Sequence, residues 1–360
     1  MVSILFLGDF FKDARCINMA DSLIDAGQKI TVIDAGHGAN KYREQPIVHI
    51  DLGNYSRGFK KYWQYYKQTK KKLKEINPQT MIIGDLYSLP ASFVIPHARI
   101  IYDSREIYTH LAGLSSQPFK QKFWAWIENR FIGRTSTIMV TAESDAGVLQ
   151  GIYDGLKYAT IKNLPSKKRK PPENNPLLRD HLGIHSRAHI FLYQGMIHAG
   201  RGILTVIDLL DHFENAHAVF LGEGPFLKEA KEHADKKSLS ERVHFLGMIP
   251  YSKLLNYTSG ASIGFSLIEP LSLSYKHALP NKIFEYALSG IPVISTDFPE
   301  MDSVIKEFKL GKTVPHNDSL ALITAVEELL TQKKNHYQET ALENLVWESQ
   351  TELFLATING

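Results

Sequence analysis

Short apolar runs alternate with helical patterns along nearly the whole chain, and they do so in two separate series. In the first, residues 2–7, 29–33, 81–84, 99–102, 137–141 and 159–162 read as strands, with helices over 13–25, 55–76 and 117–132. In the second, 189–193, 217–221, 243–246, 262–268 and 292–296 read as strands, with helices near 202–213, 225–235, 252–259, 281–288 and 318–330. Strands that alternate with helices are covered on both faces, so each series predicts a parallel sheet between two helical layers. Two Rossmann-like α/β/α domains facing across a cleft follow as the expected fold class, with ligands held beyond the carboxyl ends of the strands.

The composition changes between the two series. Residues 165–176, PSKKRKPPENNP, set prolines around a basic run with no apolar periodicity. A solvated linker is the expected reading, and a nuclear signal or nucleic-acid patch is the other one. The predicted division is residues 1–164 as a first domain and 165–185 as linker with a helix leading into the second. Residues 186–335 form that second domain, and 336–360 a terminal helical pattern around Trp347. A length of 360 residues suits two domains, and 44% hydrophobic with 22% charged residues allows substantial cores. A net charge of +3 does not by itself argue for nucleic acid. Cys16 is the only cysteine, so no intrachain disulfide can form, which suits a reducing cytoplasm. No apolar run approaches the roughly 18 residues of a spanning helix, and the opening VSILFLGD is too short for a signal peptide. A cytoplasmic protein, soluble or at the inner face of a membrane, is expected.

Residues 280–297, PNKIFEYALSGIPVISTD, carry the most chemistry. Pro280 and Asn281 open a helix, Lys282 lies in its first turn, Glu285 follows about one turn later, and Gly290 ends it before an apolar strand. Unpaired N–H groups at a helix start attract phosphate, and a lysine beside them adds charge. Glu285 shares a face with Asn281 and Lys282, and an ionised carboxylate can accept from both hydroxyls of a ribose. The residues together suggest a nucleotide. The bland alternative is a glutamate that merely favours the helix start; Gly290 reads simply as its C-cap.

This segment resembles the sugar-nucleotide signature of retaining glycosyltransferases of the GT-B fold, family 4 in particular, and the resemblance extends along nearly the whole chain. YQGMIHAGRGI (193–203) looks like that family's glycine loop, in which Gly195 turns the backbone and Arg201 would hold the leaving diphosphate. The family's second cation is replaced here by Ile197 and His198. Gly222 and Gly224, in GEGP, match a further turn, and backbone near Met248 and Ile249 would meet the base. The first of the family's two glutamates, separated from the second by seven residues, falls at His277 here, with Glu269 the nearest substitute in a longer loop. Trp347-Glu348 match the start of a terminal helix that crosses back to the first domain.

On the acceptor side, Gly8 and Asp9 open the loop after the first strand, and Asp103, Arg105 and Glu106 follow the strand at 99–102. Arg105 stands where the family often has a histidine. It would add charge stabilisation beside Arg201 and Lys282, or form an ion pair with Asp103 or Glu106. The first loop lacks G-x-G-x-x-G, against a nicotinamide enzyme. No D-x-D occurs, His181 and His185 flank a glycine, and no metal or other cofactor is expected. The resemblance implies a metal-independent hexosyltransferase that takes a nucleoside-diphosphate sugar, UDP-linked rather than GDP-linked, to a polysaccharide or lipid-linked acceptor, with no nucleic-acid partner. Two other readings stay open: a non-catalytic subunit that binds a nucleotide or a partner transferase, and a sugar-nucleotide epimerase.

Residues 59–76 and 119–134 are basic and aromatic. Phe59, Tyr62, Tyr66, Leu73 and Ile76 fall on one helical stripe, and Lys60, Lys61, Lys67, Lys71 and Lys74 project elsewhere. Such helices either pack their stripe into the core or lie on an anionic membrane surface.

Overall fold

The computed structural model describes residues 1–53, 55, 58–108, 117–172, 175–332 and 337–360. It divides into two compact units, Met1–Lys162 with Gln350–Gly360, and Asn163–Ser349.

The first unit is built on an eight-stranded sheet. Its strands are β1 (Val2–Leu5), β2 (Ile30–Asp34), β3 (Lys41–Tyr42), β4 (Gln45–His49), β5 (Thr80–Ile83), β6 (Arg99–Ser104), β7 (Thr137–Val140) and β8 (Tyr158–Thr160), in the order β3-β4-β2-β1-β5-β6-β7-β8. Every pairing is parallel except β3 with β4. Strands β1, β2, β5 and β7 are almost wholly buried, as a sheet covered on both faces requires. Helix Ala14–Asp25 starts where Asp13 accepts from the Cys16 amide at 2.8 Å, a side-chain cap. At the other end of the chain, Gln350 clamps Lys162 through both its amide atoms, and the Thr357 carbonyl accepts from Arg99.

The second unit has six strands, all parallel: β9 (His189–Gln194), β10 (Ala216–Leu221), β11 (Val243–Phe245), β12 (Ile263–Ser266), β13 (Val293–Thr296) and β14 (Gly311–Val314), ordered β11-β10-β9-β12-β13-β14. Phe191, Phe220, Phe265, Val206 and Val326 fill its core. The chain order reverses between β9 and β12, so a crevice is expected outside their carboxyl ends. In the first unit the same reversal lies between β1 and β5.

Several elements differ from expectation. The β3–β4 pair, β14, and helices Glu143–Ile152 and Pro299–Glu307 have no counterpart in the sequence reading. The helix expected over 202–213 is Ile203–Asp208 followed by a tight 3-10 turn to Asp211. The terminal pattern is broken into Tyr337–Asn344, a 3-10 turn at Trp347–Gln350, and Thr351–Asn359; residue 336 lies outside the described residues. Helix Phe59–Ile76 begins after residues 56–57, also outside them, and it buries Tyr65, Thr69 and Leu73. Phe59 is not on that inner stripe but 67% exposed.

The basic segment after residue 164 is tied down at several points while Lys167, Lys168 and Lys170 stay exposed, residues 173–174 lying outside the description. Ser166 donates to Glu348 at 2.6 Å, the Pro165 carbonyl accepts from Trp347, and the Pro171 carbonyl accepts from Gln338. Both ends of the Trp347-Glu348 pair therefore anchor this segment within the second unit.

Candidate active site

The second unit gathers Gly195, Arg201, Gly222, Gly224, Lys282 and Glu285 around the carboxyl ends of β9, β10 and β12. Helix Asn281–Leu288 starts at Pro280 without a side-chain cap, which leaves its first amides to other partners. Its far end is a Schellman motif: Gly290, at φ +74°, donates to Ala287, and Ile291 donates to Tyr286. The helix is thereby pinned, and one turn in, Lys282 and Glu285 reach back towards β9.

Lys282 places its ammonium 3.7 Å from the ring centre of Tyr193 and directly over the Gly195 turn, where an added Cβ would lie 3.6 Å from Nζ. Arg201 lies over the ring of Tyr275 at 4.3 Å. Tyrosine faces attract both cations, and among the described residues neither cation forms a salt bridge with a carboxylate. Burial, then the nearby Arg201 charge, push the Lys282 amine well below the usual lysine range, with Glu285 opposing. The Arg201 charge thus lies close enough to weigh on Lys282.

Glu285 is buried. Its carboxylate accepts from the side-chain amide of Gln194 and from the Tyr251 hydroxyl. Burial raises its pKa, and those two donors with the Lys282 and Arg169 charges oppose the rise. Arg169, from the basic segment, stacks on Tyr251 at 4.4 Å. Tyr193, Gln194, Tyr251, Tyr275 and Arg169 have no signal in the sequence reading, because each acts through a partner far along the chain.

The glycines build the floor. A side chain on Gly222 would fall inside the Gly195 carbonyl, and one on Gly224 inside the Ile197 carbonyl. The two loops therefore pack backbone on backbone, joined by Gly195 N–H to the Leu221 carbonyl at 2.8 Å and Ile197 N–H to the Glu223 carbonyl at 2.9 Å. Met248 follows β11 as an exposed side chain with Ile249 partly covered beside it, and Asn281 is half-buried at the helix start. Gly200 and Gly202 flank Arg201 with positive φ and lie against Leu271 and Leu267, so the long loop after β12 sets the arginine's position. Glu269 lines a pocket of about 360 Å³ between Gly202 and the 315–318 loop that neither Lys282 nor Glu285 reaches. The Nδ1 of His277 is buried without a hydrogen-bond partner among the described residues.

In the first unit, Gly8 and Asp9 follow β1, and Asp103, Arg105 and Glu106 follow β6. Asp9 accepts from the Phe11 amide and pairs with Lys12 at 3.2 Å. Arg105 is held by Asp13 and, at 2.9 Å, by Asp103, and it also donates to Cys16 Sγ. Asp103 is shared with the fully buried Arg15, which donates to it at 2.6 Å. Arg105 is thus part of a partly buried network of opposite charges, which includes the ion pair with Asp103. Ser104 donates to the carbonyl of Glu106, an exposed residue.

Two Rossmann-like units with this site in the second define a GT-B protein. Residues 174–343, which make up most of the second unit, match the model of the family Glycosyl transferases group 1. A stretch of 179 residues is 29% identical to the alpha-monoglucosyldiacylglycerol synthase of Streptococcus pneumoniae, covering 48% of this chain and 38% of that protein. The chain thus spans about two fifths of the length of the curated relatives it matches. Among solved structures, a sucrose-phosphate synthase from Thermosynechococcus elongatus superposes with a TM-score of 0.84 at 14% identity, over 99% of this chain and 97% of that one. Anabaena HepE in complex with UDP and glucose gives 0.77 at 14% identity, over 100% and 99%. These likenesses extend the fold to the whole chain.

Proposed function

We propose that the chain is a retaining glycosyltransferase that takes a hexosyl group from a nucleoside-diphosphate sugar, UDP-linked by preference, to a polysaccharide or lipid-linked acceptor. The observation that carries the reading is the pair of cations without salt-bridge partners among the described residues, Arg201 and Lys282, with Glu285 one helical turn from Lys282. A diphosphate between the cations would relieve their mutual repulsion, and Glu285 would accept from the ribose hydroxyls. The UDP preference draws support from HepE, whose complexes hold UDP and glucose.

In the reaction, the acceptor oxygen bonds to the anomeric carbon as the bond from that carbon to the leaving phosphate breaks, on the same face. The leaving phosphate takes the acceptor proton, so the protein supplies orientation and charge stabilisation. Arg201 and Lys282 perform that stabilisation with the amides of the helix start, in place of a metal. Arg105 is left out of this role, since Asp13 and Asp103 already offset its charge.

The test is a thermal-shift panel of UDP, GDP, ADP and CDP on wild type and on Arg201→Ala, Lys282→Ala and Glu285→Ala. One nucleotide should raise the unfolding temperature of wild type alone, since saturation at a hundredfold excess over Kd is worth about 2.7 kcal/mol. Donor hydrolysis by the same proteins, with and without EDTA, then reads turnover. Binding without turnover would leave a nucleotide-binding subunit; no shift with any of the four would remove the donor-site reading.

A further inference from the structure

Two helices of the first unit repeat one outward pattern. On Phe59–Ile76, the residues Phe59, Trp63, Tyr66 and Lys70 stand at i, i+4, i+7 and i+11. On Pro118–Ile132, Phe119, Phe123, Trp126 and Arg130 do the same. That spacing sets each group on a single face of its helix. Both faces point away from the core: Trp63 is 58% exposed, Trp126 60% and Phe119 89%. The inner faces are occupied separately, by Tyr65 and Leu73 on one helix and by Glu128 and Ile132 on the other. Phe59 and Phe123 meet edge to face at 6.5 Å, which joins the two faces into one aromatic strip. A soluble surface seldom leaves so much contiguous aromatic area in water without a use for it.

The exposed charge on the two helices is mostly positive. Helix Phe59–Ile76 carries seven lysines and one carboxylate, Glu75, which Lys72 holds at 2.9 Å. The only carboxylate of helix Pro118–Ile132 is Glu128, buried and accepting from the Tyr102 and Tyr153 hydroxyls. Exposed aromatic rings rimmed by lysine suit a partner that is apolar within and anionic at its boundary, and a bilayer with anionic headgroups has that profile. Among the described residues no helix is long and apolar enough to cross a membrane. Both helices would therefore lie on the surface, with the rings at the headgroup level.

We propose that this paired-helix face docks the first unit on an anionic lipid bilayer. It is tested without donor or turnover, so its outcome is separate from that of the transfer reaction. The full chain is sedimented with vesicles of phosphatidylcholine alone and of an equal mixture with phosphatidylglycerol. Binding is expected with the mixed vesicles, weakening with salt, and accompanied by a blue shift of tryptophan fluorescence. Trp63→Ser with Phe119→Ser and Trp126→Ser should weaken it by about tenfold or more, as should Lys67→Glu with Lys70→Glu and Lys74→Glu. All six positions are exposed, and unchanged thermal unfolding of both variants would show that they fold. No sedimentation with the mixed vesicles, or equal sedimentation of the aromatic variant, would overturn the proposal. So would a dimer in lipid-free solution that the aromatic substitutions dissolve, which would give the face to a second copy. Retardation of a single-stranded oligonucleotide without vesicle binding would give it to nucleic acid instead.

Discussion

Gln194 donates its side-chain amide to the carboxylate of Glu285, and its amide oxygen lies 2.7 Å from the Thr258 hydroxyl. The ionised Glu285 carboxylate only accepts, which leaves Gln194 one orientation, with its nitrogen towards the glutamate. Glu285 is thus aimed from the end of β9 as well as from its own helix. Replacing Gln194 by Leu removes one donor from a buried acceptor, which costs about 1–3 kcal/mol. Gln194→Leu should remain folded and bind the preferred nucleotide about tenfold more weakly, close to the 1.4 kcal/mol that a decade represents. Calorimetric titration measures this, and unchanged affinity would dismiss the positioning role.

Lys282 is held in a state that disfavours its own charge. Its amine titrates below the ordinary 10.5 in the folded protein, because of burial first and Arg201 second. As pH falls from 10.5 towards that lowered value, the unfolded chain takes up a proton that the folded chain does not, so folding loses stability across that window. Lys282→Met should abolish nucleotide binding and yet stabilise the free protein, by about 0.5–2 kcal/mol as single stabilising substitutions do. The gain should be smallest at high pH and grow as pH falls. Denaturation of both proteins across the alkaline range checks the sign; a gain that grows with rising pH would contradict it.

Gly222 and Gly290 both have positive φ, but their surroundings differ. At Gly222 a methyl group meets the Gly195 carbonyl, so backbone must move. At Gly290 the nearest atom to an added Cβ is Gln338 Cβ, at an ordinary 3.8 Å. Gly290→Ala should cost about 1 kcal/mol, the price of a left-handed residue with a side chain. Gly222→Ala combines that strain with a steric clash and should cost roughly 2–5 kcal/mol. It should also separate the two loops that form the site floor. Urea midpoints of the two variants rank the effects, and equal midpoints would refute the backbone contact.

Helix Asn281–Leu288 has the bounds read from sequence because Pro280 and Gly290 punctuate it on either side. Strand β14 was illegible for the opposite reason: its four residues, GKTV, lie at a sheet edge, and three of them are half-exposed. The chemistry divides in the same way. Lys282 and Glu285 are neighbours along one helix, so their pairing is written in local spacing. Gln194, Tyr251 and Arg169 reach Glu285 only through the fold, and a single sequence holds no record of that proximity. Which way the stripe containing Phe59 faces stayed open in the sequence because aromatics occupy both faces of its helix, which erases the apolar and polar contrast on which periodicity depends.

Asp103 ties two arginines together at the end of β6. Arg15 donates from Nε and Nη2 to it, and also from Nη1 to the Ile161 carbonyl at 2.7 Å, while Arg105 donates from Nε. Burial works to raise the carboxyl, but the charges of Arg15 and Arg105 prevail and hold it below the usual aspartate range. A lowered folded pKa gives stability that is present above the ordinary aspartate value and is lost as pH falls through the folded one. Asp103→Asn should cost about 3–5 kcal/mol at neutral pH, because it strands buried guanidinium charge. The variant should also lose less stability than wild type between neutral pH and strong acid. Urea denaturation at neutral and acid pH measures both effects. A loss of under 1 kcal/mol at neutral pH, well below the roughly 3–5 expected for a broken buried pair, would mean that Asp13 alone neutralises Arg105 and that Arg105 needs no second partner.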